Sequence, residues 1–133
     1  MGNEYKNDEI ITYQIKTHEY FGNRNYTDKY YINSEDELNI FYSLYSKSVD
    51  INKEYLKDNS IFIQVQMVGS GSIRMKLSSV TFENNNVNFI IERNSPQIGT
   101  CDMACWYLVA VIPNEQLKNL NLNGWCKPSE MNY

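Results

Sequence analysis

Proline, glycine and histidine are scarce in this sequence, which holds 3 Pro, 6 Gly and 1 His among 133 residues. The common catalytic arrangements of a nucleophile with a histidine base would all have to use His18. Basic residues form no block and the formal net charge is −4, which argues against a nucleic-acid partner because phosphate binding depends on clustered Lys and Arg. No apolar run approaches the roughly 20 residues of a spanning helix, so no transmembrane segment is predicted.

Tyrosine and asparagine are abundant instead, with 11 Tyr and 18 Asn. Tyr favours half-buried strands and Asn replaces Gly in tight turns, although the same bias would follow from an AT-rich genome. The length and the 42% hydrophobic content are typical of one globular domain. We therefore predict a single domain over residues 1–133, with a flexible polar start at residues 1–8 and a weakly patterned tail at residues 118–133.

The hydrophobic pattern predicts a mainly β fold, with two strands, one short helix and then four strands. β-Branched and aromatic runs occupy residues 10–15 and 26–32. Ser34 and Glu37 form a capping box that begins a helix, and an apolar face on this helix is expected to cover a sheet. That face consists of Leu38, Phe41, Leu44 and Tyr45.

The second half of the chain returns to strand patterns. Residues 61–68 precede a glycine turn at Gly69 and Gly71, and residues 73–77 and 87–91 alternate around an asparagine-rich hairpin turn at residues 83–86. The nearly unbroken apolar run of residues 106–112 predicts a central strand. We expect an antiparallel β-sandwich or curled sheet with the helix packed on it, and Trp125 and Cys126 to dock the tail on the core.

Three cysteines lie in the last third of the chain, Cys101, Cys105 and Cys126. An odd number allows one disulfide bond with one thiol left over, or three reduced thiols, and the spacing does not choose a pairing. Three thiolates with His18 would complete a zinc site, but the three-residue gap between the first two cysteines and the distant histidine argue against metal. No cofactor is predicted.

In the order of its short motifs the chain resembles the PrcB C-terminal-like domain family of protease complex-associated proteins. The resemblance covers residues 28–117. It consists of the capped helix at residues 34–45, Asp50, the strand at 61–68, the glycine turn at 69–71, the strand at 73–77 with its hairpin partner, the loop at 95–101 and the apolar strand that ends at 111–113.

The resemblance implies a secreted or surface-attached bacterial protein that associates with a protease and supports its assembly or stability, without catalytic residues of its own. We therefore expect an extracellular or cell-surface location, such as that of a lipoprotein whose signal or anchor lies outside this sequence, with the cytoplasm as the alternative. The chain departs from the family at the turn, where a paired glycine followed by an aromatic is common and this chain has Gly69-Ser70-Gly71-Ser72. It departs again at residues 105–107, where a proline and an aromatic are common, so a partner that contacts these positions would differ.

Residues 96–107 combine apolar, aromatic and cysteine side chains of the kinds that anchor interfaces. We predict a protein-binding surface there and at the neighbouring turn, comprising Gly69, Gly71, Pro96, Gly99, Met103, Trp106 and Tyr107. The structural alternative is a buried loop held by a disulfide. The functional alternatives are a protease inhibitor that acts through residues 96–107 and a thiol hydrolase that pairs one cysteine with His18.

Overall fold

The order of elements along the chain matches the prediction of two strands, a helix and four strands. The computed structural model describes residues 10–18, 27–45, 49–99 and 103–130, so the expected flexibility of residues 1–8 lies outside the described residues. The strands are β1 (Ile11–Thr17), β2 (Thr27–Ile32), β3 (Asn59–Val68), β4 (Arg74–Thr81), β5 (Asn88–Asn94) and β6 (Ala104–Pro113). The α-helices are α1 (Glu35–Leu44) and α2 (Asn114–Leu117), and 3₁₀ turns occupy Lys53–Lys57, Glu83–Asn85 and Pro128–Glu130.

Four strands form one antiparallel sheet in the order β1-β6-β3-β2. The two opening strands lie at opposite edges of this sheet, since β1 pairs with β6 and β2 pairs with β3. As predicted, β6 is a central strand. Its residues from Ala104 to Ile112 are all buried, which explains the unbroken apolar run, because both faces of the sheet are covered.

The remaining strands, β4 and β5, form a separate antiparallel hairpin. Its turn contains Asn84 with φ of 54° and Asn85 with φ of 63°. Asparagine tolerates this left-handed region better than most residues, so the predicted asparagine turn is confirmed. The hairpin places Met75, Leu77 and Val80 in the core.

Helix α1 begins at the predicted cap, where Ser34 Oγ accepts a hydrogen bond of 3.2 Å from the backbone N–H of Glu37. The reciprocal half of the capping box is not made, because the Glu37 carboxylate instead accepts hydrogen bonds from the backbone N–H and hydroxyl of Ser129. Leu38 and Phe41 are buried against the sheet. No helix among the described residues has the length and apolar composition needed to cross a membrane.

The four-stranded sheet separates two apolar clusters. One lies between the sheet and α1 and includes Phe41, Tyr107 and Val109. The other lies between the sheet and the β4–β5 hairpin and includes Leu77 and Leu108. The molecule is thus a mainly β fold of antiparallel strands with one short helix packed on it, as expected.

The weakly patterned tail docks on the core through Trp125 and Cys126, as predicted. The Trp125 ring lies 5.0 Å from the Phe62 ring and 4.9 Å from the Phe89 ring, centroid to centroid. The Cys126 backbone exchanges hydrogen bonds of 3.1 and 3.0 Å with Lys29 and Tyr31 on β2. The tail therefore covers the hairpin side of the core and extends the sheet beyond β2.

Candidate binding surface

The glycine turn and residues 96–99, both predicted to bind a partner, lie next to each other. A Cβ atom built on Gly99 would lie 3.0 Å from Ser70 Oγ and 3.6 Å from Ser72 Oγ. The turn itself is held by a 2.8 Å hydrogen bond between the hydroxyls of Ser70 and Ser72 and by a 3.2 Å bond from the backbone N–H of Ile73 to Ser70 O. The segment around Gly99 therefore rests on an ordered turn.

Lys16 connects this turn to Trp106. The Lys16 ammonium donates a hydrogen bond to the carbonyl oxygen of Gly71 and lies 5.8 Å from the centroid of the Trp106 ring, within the range of a cation–π interaction. The strand register explains the contact, because Lys16 on β1 and Trp106 on β6 are cross-strand partners. Contacts thus join Gly99, the turn and Trp106 into one surface region.

Large apolar side chains are exposed beside the same turn. Ile98 is 89% exposed next to Gly99, and Met103 is 40% exposed and directly precedes Ala104, which pairs with Val68 at the start of the turn. They are two of the four large hydrophobic residues that are exposed in the described ranges, the others being Ile11 and Ile90. Exposed apolar side chains near an ordered turn are typical of protein–protein interfaces. We call this region, comprising residues 69–72, residues 96–99 and Met103, the turn surface.

The prediction that Tyr107 contacts a partner is corrected by its position. Tyr107 is fully buried on the helix side of the sheet, with its ring 6.2 Å from that of Phe41 and 6.1 Å from that of Tyr45. Neighbouring residues on a strand face opposite sides, so Trp106 lies on the hairpin side and is 8% exposed. Tyr107 belongs to the core, and Trp106 is mainly a core residue with one edge at the surface.

Trp106 reaches the surface in a cleft of about 600 Å³ that we call the Trp106 cleft. Four strands contribute to it, since Gln14 comes from β1, Arg74 and Lys76 from β4, Glu92 and Arg93 from β5, and Trp106 from β6. Gln14 is fixed there because its Oε1 accepts a 3.2 Å hydrogen bond from the backbone N–H of Leu77. This volume lies in the range of ordinary ligand sites.

The cleft is positively charged in a chain whose formal net charge is −4. Arg74, Lys76 and Arg93 line it, and none of them forms an ion pair with a carboxylate of the described residues. Glu92 also lines it, opposite Lys76 in the hairpin register, and its carboxylate accepts a hydrogen bond from the hydroxyl of Ser78. Three cations against one carboxylate leave the cleft with a net positive charge, which favours an anionic group.

No family model matches the chain, and no curated protein or solved structure matches it. The resemblance to the PrcB C-terminal-like family therefore stays a prediction.

The indole N–H of Trp106 is buried without a hydrogen-bond acceptor in the part of the chain that the structure describes. A buried donor left without an acceptor costs about 1–3 kcal/mol. Sequence patterns identified Trp106 as a site residue, but they missed Lys16, Gln14 and the three cations. Only the pairing of β1 with β6, and of β4 with β5, brings those residues together.

The cysteines show no arrangement suited to nucleophilic catalysis in the described ranges. Cys105 is fully buried in the cluster beneath α1, where a substrate has no access. Cys126 Sγ donates a hydrogen bond to Lys29 O, and burial, with smaller contributions from Glu130 and Asp28, raises the pKa of its thiol. Both features favour the less reactive thiol form. Cys101 lies outside the described residues.

The sheet topology also separates Cys105 from Cys126. Cys105 lies on β6, and Cys126 lies beside β2 at the far edge, three strand positions away. At about 4.8 Å per strand the separation is about 14 Å, whereas a disulfide needs Cα atoms within about 7 Å. These two residues therefore neither form a disulfide with each other nor share a metal ion. Residues 10–18, 27–45, 49–99 and 103–130 contain no group of three or more His, Cys, Asp or Glu side chains suited to a metal ion.

Proposed function

We propose that this chain is a non-enzymatic protein-binding module that contacts its partner through the turn surface. The observation that carries the proposal is the exposure of Ile98 and Met103 beside a hydrogen-bonded turn. Apolar side chains on an ordered base lose little conformational entropy on binding. They supply the desolvated centre that protein interfaces need.

A binding role accounts for the turn surface better than a catalytic role does. The thiol-hydrolase alternative needs an accessible thiolate near His18, whereas Cys105 is buried and the pKa of Cys126 is raised. The turn surface, in contrast, offers apolar contact area and exposed backbone without any titratable nucleophile in its described residues. Its chemistry therefore favours binding of a protein partner over catalysis.

The partner that we propose is a bacterial protease, encountered outside the cell or at its surface, on the strength of the family resemblance. The module would support the assembly or stability of that protease. Inhibition through residues 96–107 would use the same turn surface and would differ in the effect on the bound enzyme. The cytoplasm stays the alternative location.

Capture of partners on the immobilised chain tests this proposal. Culture supernatant and membrane fractions of the source organism are passed over the wild-type chain and over the Ile98→Asp and Met103→Asp variants, and bound proteins are identified by mass spectrometry. We expect a protein to be retained by the wild type and its retention to fall about tenfold in either variant, as happens when a charge is placed in an interface centre.

Ile90→Asp is the matched control, because Ile90 is 45% exposed on β5, away from the turn surface. This variant should retain the partner as the wild type does. Equal losses in all three variants, or none in any, would contradict the assignment. If the retained protein is a protease, its activity with and without the chain distinguishes support, which preserves or raises activity, from inhibition, which lowers it.

A further inference from the structure

The cations of the Trp106 cleft are arranged with a regular spacing. Arg74 and Lys76 occupy alternate positions of β4, so their Cα atoms are about 7 Å apart. An extended peptide has the same spacing between alternate side chains. Two acidic residues of such a peptide, separated by one residue, would match these two cations, while Arg93, opposite Met75 in the hairpin, adds positive charge from β5.

The cleft also offers groups that recognise a peptide backbone. Gln14 uses its Oε1 to accept from Leu77, and its Nε2 donates to no described residue, so an N–H donor is available. The Trp106 ring forms an apolar base for the cleft. A peptide carbonyl group is a suitable acceptor for the Gln14 donor.

The cleft adjoins the turn surface, because Lys16 contacts both Trp106 and Gly71. A partner that covers Ile98 and Met103 can therefore place a neighbouring segment in the cleft. A segment of three or four residues, at about 3.3 Å per residue, is long enough to lie along β4 from Arg74 to Lys76.

From these observations we infer that the Trp106 cleft binds an extended acidic peptide segment of the partner, with carboxylates at alternate positions facing Arg74 and Lys76. The inference rests on the proposed function, since it describes how the same partner is recognised. Charge complementarity supplies specificity and speeds association, while the apolar turn surface supplies the central contact.

The test uses ¹⁵N-labelled chain and a synthetic probe, the acetylated and amidated peptide Gly-Glu-Ser-Glu-Ser-Glu-Gly. Titration is followed by NMR at the indole N–H of Trp106 and the backbone N–H groups of β4, with the Trp106 signal assigned from the Trp125→Phe variant. We expect saturable shifts at these positions, weakened about tenfold when sodium chloride rises from about 50 to about 500 mM. Absence of shifts at about 5 mM peptide, where even a millimolar complex would be detected, overturns the inference.

Two further probes test whether binding requires negative charge and whether it requires a peptide. The peptide Gly-Lys-Ser-Lys-Ser-Lys-Gly should leave the cleft signals in place, and equal shifts from it would contradict the proposal. Free glutamate at the same carboxylate concentration should bind far more weakly. If it reproduces the peptide's shifts, the cleft is a site for small anions, and the peptide assignment is wrong.

Charge removal provides the matched comparison. Arg74→Gln with Lys76→Gln should weaken the acidic peptide about tenfold, whereas Lys53→Gln with Lys57→Gln should have little effect. The second pair removes the same charge from side chains that are 65% and 75% exposed and paired with Glu35 and Glu54 instead. Equal effects of the two double variants would show that the peptide binds by general electrostatic attraction, and would contradict a specific site in the cleft.

Failure of this inference and failure of the proposed function give different results. If Ile98→Asp abolishes partner capture while the acidic peptide leaves the cleft signals unmoved, the binding function stands and the cleft assignment falls. If the peptide binds the cleft but Ile98→Asp and Met103→Asp leave capture unchanged, the cleft assignment is supported and the assignment of the turn surface as the partner site is contradicted.

Discussion

Gly99 lies so close to Ser70 that a Cβ atom on Gly99 would come within 3.0 Å of the serine hydroxyl oxygen. This contact joins two loops that are far apart in sequence. It also places the exposed Ile98 beside the turn. The position of Ile98 therefore depends on glycine at residue 99. Glycine is favoured there because a side chain has little room, and not because of backbone conformation, since Gly99 has no left-handed φ.

Gly99→Ala should lower the free energy of unfolding by about 1 kcal/mol, because the added methyl group must displace the Ser70 hydroxyl. Thermal unfolding followed by circular dichroism measures the change. Gly69→Ala is the matched control, since nothing lies within 4 Å of a Cβ built there. It should be neutral or slightly stabilising.

A double-mutant cycle identifies the cause of the Gly99→Ala effect. In a Ser70→Ala background the hydroxyl is gone, so the cost of Gly99→Ala should largely disappear. The effect of Ser70→Ala alone, which also removes the hydrogen bond to Ser72, is subtracted in the cycle. An unchanged cost in the Ser70→Ala background would show that the contact with Ser70 is not the constraint.

Trp125→Ala should destabilise the fold by about 3–5 kcal/mol, the range for removing a large buried aromatic. The Trp125 ring packs on Phe62 and Phe89, and its Nε1 donates a 3.1 Å hydrogen bond to Val87 O. Urea unfolding measures the loss. Ile98→Ala is the control and should stay within about 0.5 kcal/mol, because Ile98 is exposed. A small effect of Trp125→Ala would mean that the tail is not part of the cooperative core.

The sequence was sufficient to predict features that depend on neighbouring residues. The Ser34 cap, the left-handed Asn84 and Asn85 turn and the central strand β6 follow from local chemistry or from hydrophobic period. Each is observed. Even the docking of Trp125 could be expected, because a large aromatic in a polar tail gains from burial.

The candidate surface was predicted only in part, because it depends on the pairing of distant strands. The glycine turn and residues 96–107 were predicted as binding segments from residue type. Lys16, however, became part of the surface through its register with Trp106, ninety positions away in the chain. Tyr107 was misassigned because a strand covered on both faces hides both of two consecutive aromatics.

Thiol reactivity tests the roles of the cysteines. In a Cys101→Ser variant, Cys105 should react with a disulfide reagent only as fast as the protein unfolds, because it is fully buried. Cys126 should react more slowly near neutral pH than an ordinary exposed thiol, since burial raises its pKa. Labelling in denaturant is the control and should modify both residues at once. Fast native labelling of either would revive the thiol-hydrolase hypothesis.

Alkaline pH should weaken the fold through Tyr13. Burial raises the pKa of Tyr13 from 10.0 to about 12, and the charges of Tyr55, Tyr42 and Asp50 add to this shift. In the unfolded chain the group titrates near 10, so between pH 10 and about 12 the unfolded state releases a proton that the folded state retains. The free energy of unfolding therefore falls as pH rises through this window. Urea unfolding of Tyr13→Phe should show a shallower fall there, with the difference between variant and wild type constant below about pH 9, where Tyr13 is protonated in both states. Identical slopes in the two proteins would show that Tyr13 is not protected by the fold.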